Sequence, residues 1–285
     1  KLWGNYKLMW QAKNEAYLET YPLYGQDALN LQGLKQGLKS RQGKKTLLVL
    51  NFPNNPTGYT PTEEEAYKIK DILLEEAKTG SQLIVICDDA YFGMNYESNN
   101  FPESIFGLLY NLHENLLAIK IDGPTKELFV WGFRVGFLTF GVKGASKEAY
   151  EALTKKVSGS IRGGISNVTN VGQSLLTRAL KDDNLGPQIK EKVETLKERY
   201  LEVKKNVFLD KYKDLWNVYP FNSGYFMCLQ LKNVKAEDLR IHLLDQYGIG
   251  TISLGDHDLR IAFSSLKKED IKEFFELIEK GILSL

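Results

Sequence analysis

The amino-acid sequence predicts an α/β protein, with a mostly parallel sheet flanked by helices and a smaller C-terminal α+β domain. Two observations support this fold class. Short apolar runs that end in turn-forming residues alternate with helical patterns over the first half of the chain. After a long charged helix, the pattern changes to shorter strands and helices. We therefore expect a large domain over residues 1–205 and a small domain over residues 206–285.

The first predicted strand covers residues 46–50 and leads into a turn-rich segment, 51–58 (Asn-Phe-Pro-Asn-Asn-Pro-Thr-Gly). A short apolar run of this kind is typical of a buried strand in a parallel sheet. Residues 60–63 (Thr-Pro-Thr-Glu) then supply a hydroxyl cap, a proline for the first helical position and a glutamate that can reach back. Apolar residues recur at helical spacing from there to Gly80, so a helix is predicted to follow the turn.

The remaining predicted elements continue this alternation. Further strands of the large domain are expected at 83–87, 117–121 and 135–141, with an irregular helical stretch at 104–112. From 145 to about 205 the pattern is helical, with expected breaks at the glycine-rich segment 158–164 and at Gly186-Pro187, and it ends in a charged helix from 188 to about 207. The small domain is predicted as a strand at 225–231, a helix at 236–247, strands near 250–252 and 259–262, and a helix at 268–280.

The composition excludes several classes of protein. A length of 285 residues and an apolar content of 43% suffice for a sizeable core. The 37 basic and 36 acidic residues are scattered and leave a formal net charge of +1, so we expect no nucleic-acid partner. The apolar runs are far shorter than the roughly 20 residues of a membrane helix, so no membrane association is expected. Cys87 and Cys228 lie in apolar runs, which predicts buried, reduced thiols and a cytoplasmic protein.

Lys126 and Asp88 are ionisable residues at the ends of predicted strands, where open α/β sheets bind their ligands. A lysine in a Gly/Pro turn can lose enough hydration to act as a neutral amine nucleophile and form an imine; the alternative is a solvated loop lysine. A carboxylate such as Asp88 can hold a proton on a heterocyclic nitrogen, and Tyr91 can donate to a phenolate oxygen. The alternative for this pair is a capping Asp beside a core Tyr.

Asn55, Arg134 and Arg260 complete the first set of candidates. Asn55 lies in the Pro-rich turn after the first strand, where Asn is also common for turn geometry alone. Arg134 stands among aromatic residues and glycines; its planar fork suits a phosphate, and a structural ion pair is the alternative. Strand alternation places Arg260 and Ala262 on one face, where Arg260 either grips a carboxylate or lies on an exposed strand surface.

The order and spacing of these residues resemble the class I aminotransferases, the aspartate-aminotransferase-like branch of the fold type I pyridoxal-phosphate enzymes. The shared motifs are Asn-Asn-Pro-Thr-Gly at 54–58, Asp-x-x-Tyr at 88–91, Lys126 with an Arg eight residues later, and Arg-Ile-Ala-Phe at 260–263. The resemblance extends from Trp3 to the C-terminal helix. It implies a fold type I large domain, pyridoxal 5′-phosphate as cofactor, and transfer of an amino group from an amino acid to a 2-oxo acid.

The resemblance also implies a role for each matching residue. Lys126 forms the imine with the cofactor and moves the α-proton of the substrate, and Asp88 keeps the pyridine nitrogen protonated. Asn55 and Tyr91 hydrogen-bond the phenolic oxygen of the ring, and Asn55 also belongs to the substrate-binding set. Lys126, Tyr91 and Asp88 are the implied catalytic residues.

Three arginines and a tryptophan are implied to bind the rest of the cofactor and the substrate. Arg134 matches the phosphate-binding arginine, Arg260 matches the clamp for the α-carboxylate, and Trp3 resembles the aromatic residue that stacks on the cofactor ring. Arg162 precedes Ser-Asn at the spacing of the arginine that, in aspartate and aromatic aminotransferases, reaches the partner subunit's site and binds a side-chain carboxylate. The alternative is a surface arginine in a flexible Gly loop. The match implies a dicarboxylic, aspartate- or glutamate-like substrate and a homodimer.

Two features depart from the family pattern. Gly123 takes the place of a hydroxyl residue that binds phosphate three positions before the lysine, so backbone N–H groups, with Thr125 in part, would have to replace it. The sequence begins at Lys1-Leu2-Trp3 without an initiator Met, which we interpret as an N-terminal truncation. Ahead of the position of Trp3 the family has an arm, part of the small domain and a glycine-containing phosphate turn.

Two rival functions stay open. Another reaction of the same carbanion, such as C–S β-elimination from a cysteine conjugate, shares the cofactor-holding residues. An aminotransferase-like ligand-sensing domain of a transcription regulator is the second rival, and its upstream sequence would carry a DNA-binding helix-turn-helix. Other chemistries lack their motifs: no partner stands at metal-ligand spacing from His113, His242 or His257, and no nucleoside-triphosphate or dinucleotide glycine loop is present.

Overall fold

The computed structural model describes residues 2–12, 14, 16–25 and 28–285, and their strands form two four-stranded sheets. The first sheet contains, in this order across the sheet, β1 (Lys45–Asn51), β2 (Gln82–Asp88), β3 (Leu116–Asp122) and β4 (Phe137–Gly141). The second contains β5 (Trp216–Val218), β6 (Met227–Leu231), β7 (Ile252–Leu254) and β8 (Asp258–Ile261), in the order β5-β6-β8-β7.

The helices pack around these sheets. In chain order they are α1 (Asn5–Lys7), α2 (Leu31–Lys39), α3 (Glu63–Lys78), α4 (Phe106–Leu109), α5 (Pro124–Glu127), α6 (Lys147–Gly164), α7 (Asn170–Ala179), α8 (Leu185–Val207), α9 (Ala236–Tyr247) and α10 (Ile271–Leu283). A π-helical turn, Leu8–Ala12, extends α1, and the 3₁₀ turn Lys268–Asp270 leads into α10. Within the described chain, no helix is long and apolar enough to cross a membrane.

The first sheet confirms the mostly parallel α/β prediction. β1, β2 and β3 run parallel, and β4 alone runs antiparallel to β3. Asn51 is paired with Asp88, so the carboxyl ends of β1 and β2 meet at one edge of the sheet. This edge is where parallel sheets place their ligands. The second sheet is antiparallel throughout, which confirms the α+β character predicted for the C-terminal part.

The N-cap of helix α3 lies two residues after Thr60, the hydroxyl cap predicted within residues 60–63. This N-cap is Thr62, whose Oγ1 accepts from the Glu65 amide at 3.3 Å, while Glu65 Oε2 accepts from the Thr62 amide at 2.9 Å. The capping box is therefore present, shifted by two positions. Thr60 is not available as the cap because its amide donates to Asn222 Oδ1 at 2.8 Å and its carbonyl accepts from the same side chain at 2.9 Å.

The two expected helix breaks between residues 145 and 205 are wrong. Helix α6 continues through the glycine-rich segment 158–164, where the chain is exposed or half-buried and glycine makes no tight contact. Gly186-Pro187 lies in the first turn of α8, where a proline amide is not needed for helical hydrogen bonding. Helix α2 was not predicted; Asn30 caps it by accepting from the Gly33 amide at 2.8 Å.

Two apolar cores support the two sheets. One lies between the first sheet and helices α2 to α4, and includes Leu73, Val85 and Leu116. The other lies between the second sheet and helices α8 to α10, and includes Val203, Leu229 and Phe275. The C-terminal half of α8 packs into the second core. The division into two domains at residue 205 stays a prediction. The predicted burial of both cysteines, Cys87 and Cys228, is confirmed.

The turn after β1 packs tightly against the segment that leads into β6. Gly58 has a φ of +75°, and a Cβ added there would lie 1.9 Å from the Phe226 carbonyl oxygen. The Gly58 carbonyl accepts from the amides of Asn222 and Ser223 at 2.8 and 2.9 Å. Only glycine permits this approach. The contact places the 54–58 motif beside the second sheet, and the candidate site lies at this junction.

Candidate active site

Asn51 joins the carboxyl ends of β1 and β2. Its Nδ2 donates to the Asp88 carbonyl at 3.0 Å, and its Oδ1 accepts from the Asn55 amide at 2.8 Å. Asn51 is buried, so these bonds are protected from water. One side chain therefore fixes the Asn55 turn relative to Asp88. Sequence reasoning missed Asn51, although its place at the end of a buried strand was a usable signal.

Asp88 receives hydrogen bonds on both carboxylate oxygens. Its Oδ1 accepts from the Ala90 amide at 3.2 Å, and its Oδ2 accepts from the hydroxyl of Tyr6. Burial, and then the negative charge of Asp88, raises the pKa of Tyr6 well above its usual range, so Tyr6 remains a donor. Sequence reasoning missed Tyr6; the only local signal was its position three residues after Trp3. The bond from the Ala90 amide is the capping contact that was the alternative role for Asp88. The bond from Tyr6 is a second contact, which capping does not explain.

Tyr91 and Asn55 lie together as the resemblance implies. Asn55 Nδ2 donates to the Tyr91 hydroxyl oxygen at 3.5 Å, and both residues are buried. Burial raises the pKa of Tyr91 to about 12, against the opposing effect of the Arg260 charge. The Tyr91 hydroxyl therefore keeps its proton at neutral pH and can donate to an anionic oxygen.

Lys126 lies on the one-turn helix α5, just beyond β3, and is half-buried rather than a solvated loop lysine. Its Nζ is 5.1 Å from the centroid of the Tyr91 ring. Burial lowers the pKa of Lys126; Asp88 opposes this effect and Arg134 adds to it. A lowered pKa increases the share of neutral amine, which is the form that attacks a carbonyl.

Arg260 points toward the same junction from β8. Its Nη1 donates to Asn55 Oδ1 at 3.0 Å, and its guanidinium carbon lies 4.4 Å from the centroid of the Phe226 ring. Its buried Nε has no hydrogen-bond partner among the described residues. Burial lowers the pKa of this guanidinium relative to a free arginine. A half-buried guanidinium with an unused, buried donor is suited to an incoming carboxylate.

Three other predicted residues lie at the periphery. Arg134 is exposed, has a φ of +51°, and donates from Nη1 to the Trp131 carbonyl at 3.2 Å. Arg162 lies in the last turn of α6 rather than in a flexible loop, because the helix continues through the glycines; it donates to Ser166 Oγ at 2.8 Å and is exposed. Trp3 is 37% exposed and contacts the Tyr6 ring edge-on at 5.5 Å.

Gly123, the departure from the family pattern, has a packing reason. A Cβ at this position would lie 2.8 Å from the Val135 carbonyl oxygen and 3.1 Å from the Gly136 Cα. A serine or threonine would therefore require the 135–136 backbone to move. The close approach of two backbones excludes a side chain here.

A buried acid lies directly behind Asp88. Asp89 is 5% exposed, and its Oδ2 has no hydrogen-bond partner among the described residues; Lys120 Nζ is 3.8 Å away. Lys120 instead donates to Asp122. Burial raises the pKa of Asp89 to about 7. This group titrates near neutral pH beside the candidate site, and sequence reasoning gave it no role.

Comparison with known proteins agrees with this geometry. The family model "Aminotransferase class I and II" matches residues 2–278, so the chain belongs to this family. The aspartate aminotransferase of Sulfurisphaera tokodaii is 24% identical over 259 residues, which cover 86% of this chain and 58% of that protein. The aspartate aminotransferase of Bacillus subtilis is 28% identical over 167 residues, which cover 55% of this chain and 38% of that protein. The chain thus spans less than two thirds of the length of either relative.

Solved structures share the fold. An aminotransferase from Anaerococcus prevotii superposes with a TM-score of 0.83 at 22% identity, over 99% of this chain and 68% of that chain. LysN, the α-aminoadipate aminotransferase of Thermus thermophilus, was solved with N-(5′-phosphopyridoxyl)-L-leucine; it superposes with a TM-score of 0.72 at 20% identity, over 94% of this chain and 66% of that chain.

Enzymes of this family use pyridoxal 5′-phosphate, and the described residues fit its ring. Lys126 supplies a half-buried amine, Asp88 a carboxylate at a strand end, and Tyr91 a buried hydroxyl that stays protonated. Arg260 has a buried Nε without a hydrogen-bond partner among the described residues, a donor that suits a carboxylate. These groups come from elements far apart in the chain, and the fold brings them to one junction.

Proposed function

We propose that this chain carries the active site of a pyridoxal 5′-phosphate-dependent aminotransferase, which moves an amino group from an amino acid to a 2-oxo acid. The observation that supports this most strongly is the position of Lys126, whose half-buried amine lies over the Tyr91 ring. The chain covers 58% of the length of the Sulfurisphaera tokodaii aspartate aminotransferase. The activity of the whole protein is therefore also proposed.

When bound, the cofactor supplies an aldehyde and an electron-withdrawing ring. Lys126 would hold the cofactor through its neutral amine and would move the α-proton of the substrate. Asp88 would hold a proton on the ring nitrogen, with its Oδ2 oriented by the Tyr6 hydroxyl. The protonated Tyr91 hydroxyl and the Asn55 amide would donate to the phenolic oxygen of the ring.

Substrate binding is proposed for Arg260 and Asn55. The Arg260 guanidinium is held by Asn55 Oδ1 and by the face of Phe226, so it is oriented before a carboxylate arrives. Its unpaired Nε would donate to that carboxylate. The phosphate is assigned to Arg134, whose exposed guanidinium bonds only to a backbone carbonyl among the described residues. Trp3 is assigned to the face of the cofactor ring; its contact with Tyr6, which bonds Asp88, supports this assignment.

The substrate class and the assembly rest on Arg162. Its exposed guanidinium projects from the end of α6, where it can reach a neighbouring copy of the chain. We assign it to the side-chain carboxylate of a dicarboxylic amino acid in the partner's site, which makes the working unit a homodimer. The burial of the Cys87 and Cys228 side chains supports a reducing compartment, for which we propose the cytoplasm.

The test is a single-turnover assay with pyridoxal 5′-phosphate and aspartate, which measures the 2-oxo acid formed per protein chain. We expect one equivalent from the unchanged protein and from Lys155→Ala, a variant of an exposed lysine on α6. Lys126→Ala is expected to form less than about a thousandth of this at equal time, because it lacks the amine and the proton carrier. Wild-type turnover by Lys126→Ala contradicts the proposal, and release of pyruvate and thiol from a cysteine conjugate without 2-oxo acid formation from aspartate assigns a lyase instead.

A further inference from the structure

We infer that Tyr225 is a positioning residue for Lys126. The Tyr225 hydroxyl donates to the Lys126 backbone carbonyl at 3.3 Å, across 99 positions of sequence. Tyr225 is buried, and burial raises the pKa of its hydroxyl, so it stays a donor throughout the pH range of interest. The inference rests on the role of Lys126 in the proposed function and adds a residue that neither the motifs nor the resemblance singled out.

The helix that carries Lys126 depends on outside contacts for its orientation. Helix α5 has four residues, and a helix of this length has almost no internal hydrogen bonds of its own. The Lys126 carbonyl accepts from the Phe129 amide at 3.2 Å and from the Tyr225 hydroxyl. The Tyr225 bond is the one that ties this carbonyl to the second sheet. Losing it would free the turn to tilt and would move the amine.

The ring of Tyr225 contacts the aromatic ring that lies under the Lys126 amine. It packs against Tyr91 at 5.3 Å between centroids, at an interplanar angle of 70°. Edge-to-face packing of this kind fixes the orientation of both rings. Lys126 Nζ lies over the Tyr91 ring at 5.1 Å. Tyr225 therefore contacts both the backbone of the lysine and the aromatic surface under its amine.

The next residue connects this support to the substrate clamp. Phe226 lies under the Arg260 guanidinium at 4.4 Å, and its carbonyl packs against Gly58. Tyr225 and Phe226 are adjacent, so one short stretch of backbone supports both the amine and the guanidinium. A single dipeptide thus contacts the Lys126 backbone, the Tyr91 ring and the Arg260 guanidinium. A residue with this arrangement affects how well the bound substrate is oriented, more than how tightly it is held.

The experiment compares Tyr225→Phe with Tyr150→Phe. Both variants remove one hydroxyl bonded to a backbone carbonyl. Tyr150 donates to the Val142 carbonyl at 3.2 Å and also accepts from the Val142 amide at 3.1 Å, just beyond the end of β4 that pairs with the start of β3. The first readout is amide hydrogen exchange in the cofactor-free protein. We expect exchange over residues 124–130 to become about three- to ten-fold faster in Tyr225→Phe only, as the loss of one net hydrogen bond allows. Unchanged exchange there overturns the inference.

The second readout separates positioning from binding. With aspartate, Tyr225→Phe is expected to lower kcat about three- to ten-fold and to change KM less than two-fold, because Arg260 is intact. A raised KM with unchanged kcat would assign Tyr225 to substrate binding and overturn the inference. An active Lys126→Ala variant would refute the proposed function itself, whereas wild-type kcat in Tyr225→Phe would refute only the positioning role.

Discussion

Arg260 donates from Nη1 to Asn55 Oδ1 at 3.0 Å, and so joins two residues that are 205 positions apart in the chain. The bond connects the last strand of the second sheet to the turn that follows the first strand of the first sheet. Arg260 Nε is buried and keeps no hydrogen-bond partner among the described residues; Asn55 is buried and Arg260 as a whole is half-buried. The substrate clamp that we propose is therefore oriented by the fold before any ligand binds.

Arg260→Lys tests this clamp. A lysine keeps the charge but loses the planar fork, so it cannot bond Asn55 and a carboxylate in the same geometry. We expect kcat/KM for aspartate to fall about 10- to 100-fold, the cost of one lost hydrogen bond to a charged group. Arg240→Lys is the control, because Arg240 pairs with Glu237 on the surface of α9. Equal kcat/KM in the two variants would show that Arg260 does not bind the substrate.

Arg162→Ala tests the proposed preference for dicarboxylic substrates. If Arg162 pairs with a side-chain carboxylate, its loss should reduce kcat/KM for aspartate about 10- to 100-fold and leave kcat/KM for alanine within two-fold. Sedimentation at the assay concentration checks the homodimer on which this depends. A strictly monomeric protein with full activity toward aspartate would contradict both the assignment and the assembly.

Gly58→Ala tests the junction between the turn and the second sheet. We expect a loss of more than about 3 kcal/mol in the free energy of unfolding, because the new Cβ meets the Phe226 carbonyl in a left-handed backbone. Gly43→Ala is a matched control: Gly43 has a φ of +76°, and its Cβ would meet no atom of the described chain within 4 Å. There we expect only the backbone cost of about 1–2 kcal/mol. Urea unfolding measures both, and equal losses would contradict the close approach.

Asp89→Asn tests the buried acid behind the site. A carboxyl whose pKa is raised in the folded state favours its neutral form there, so it stabilises most at low pH and loses this contribution as pH rises from about 4 to 7. Relative to the unchanged protein, Asp89→Asn should therefore gain about 1–4 kcal/mol of unfolding free energy between pH 4 and pH 8. Denaturant unfolding at both pH values gives the difference. A difference that is independent of pH would show that the pKa of Asp89 is the same in the folded and unfolded states.

Local sequence patterns predicted much of the fold. The helix at 236–247 has the predicted bounds because Ala236, Leu239 and Leu243 recur at helical spacing and are buried, and Gly248 ends the helix in a left-handed conformation. The buried strands were found within one residue at each end from their apolar runs. The antiparallel direction of β4 was not predictable, because an apolar run carries no information about the strand beside it.

The candidate site, like the fold, was predictable from the sequence only in part. Lys126, Asp88, Tyr91 and Asn55 were predicted as site residues because each stands in a short motif at a strand end. Tyr6 and Tyr225 were missed, because their hydrogen bonds to Asp88 and Lys126 join residues that are 82 and 99 positions apart in the chain. Contacts of this kind exist only after the chain has folded, and a single sequence does not display them.

Borohydride trapping shows which lysine bonds the cofactor, the role that we propose for Lys126. The protein is incubated with pyridoxal 5′-phosphate, reduced and digested, and mass spectrometry locates the phosphopyridoxyl group. We expect one modified lysine, Lys126, because burial lowers its pKa and so favours the neutral amine. Modification of Lys120 instead, or an even spread over exposed lysines with Lys126 unmodified, would contradict it.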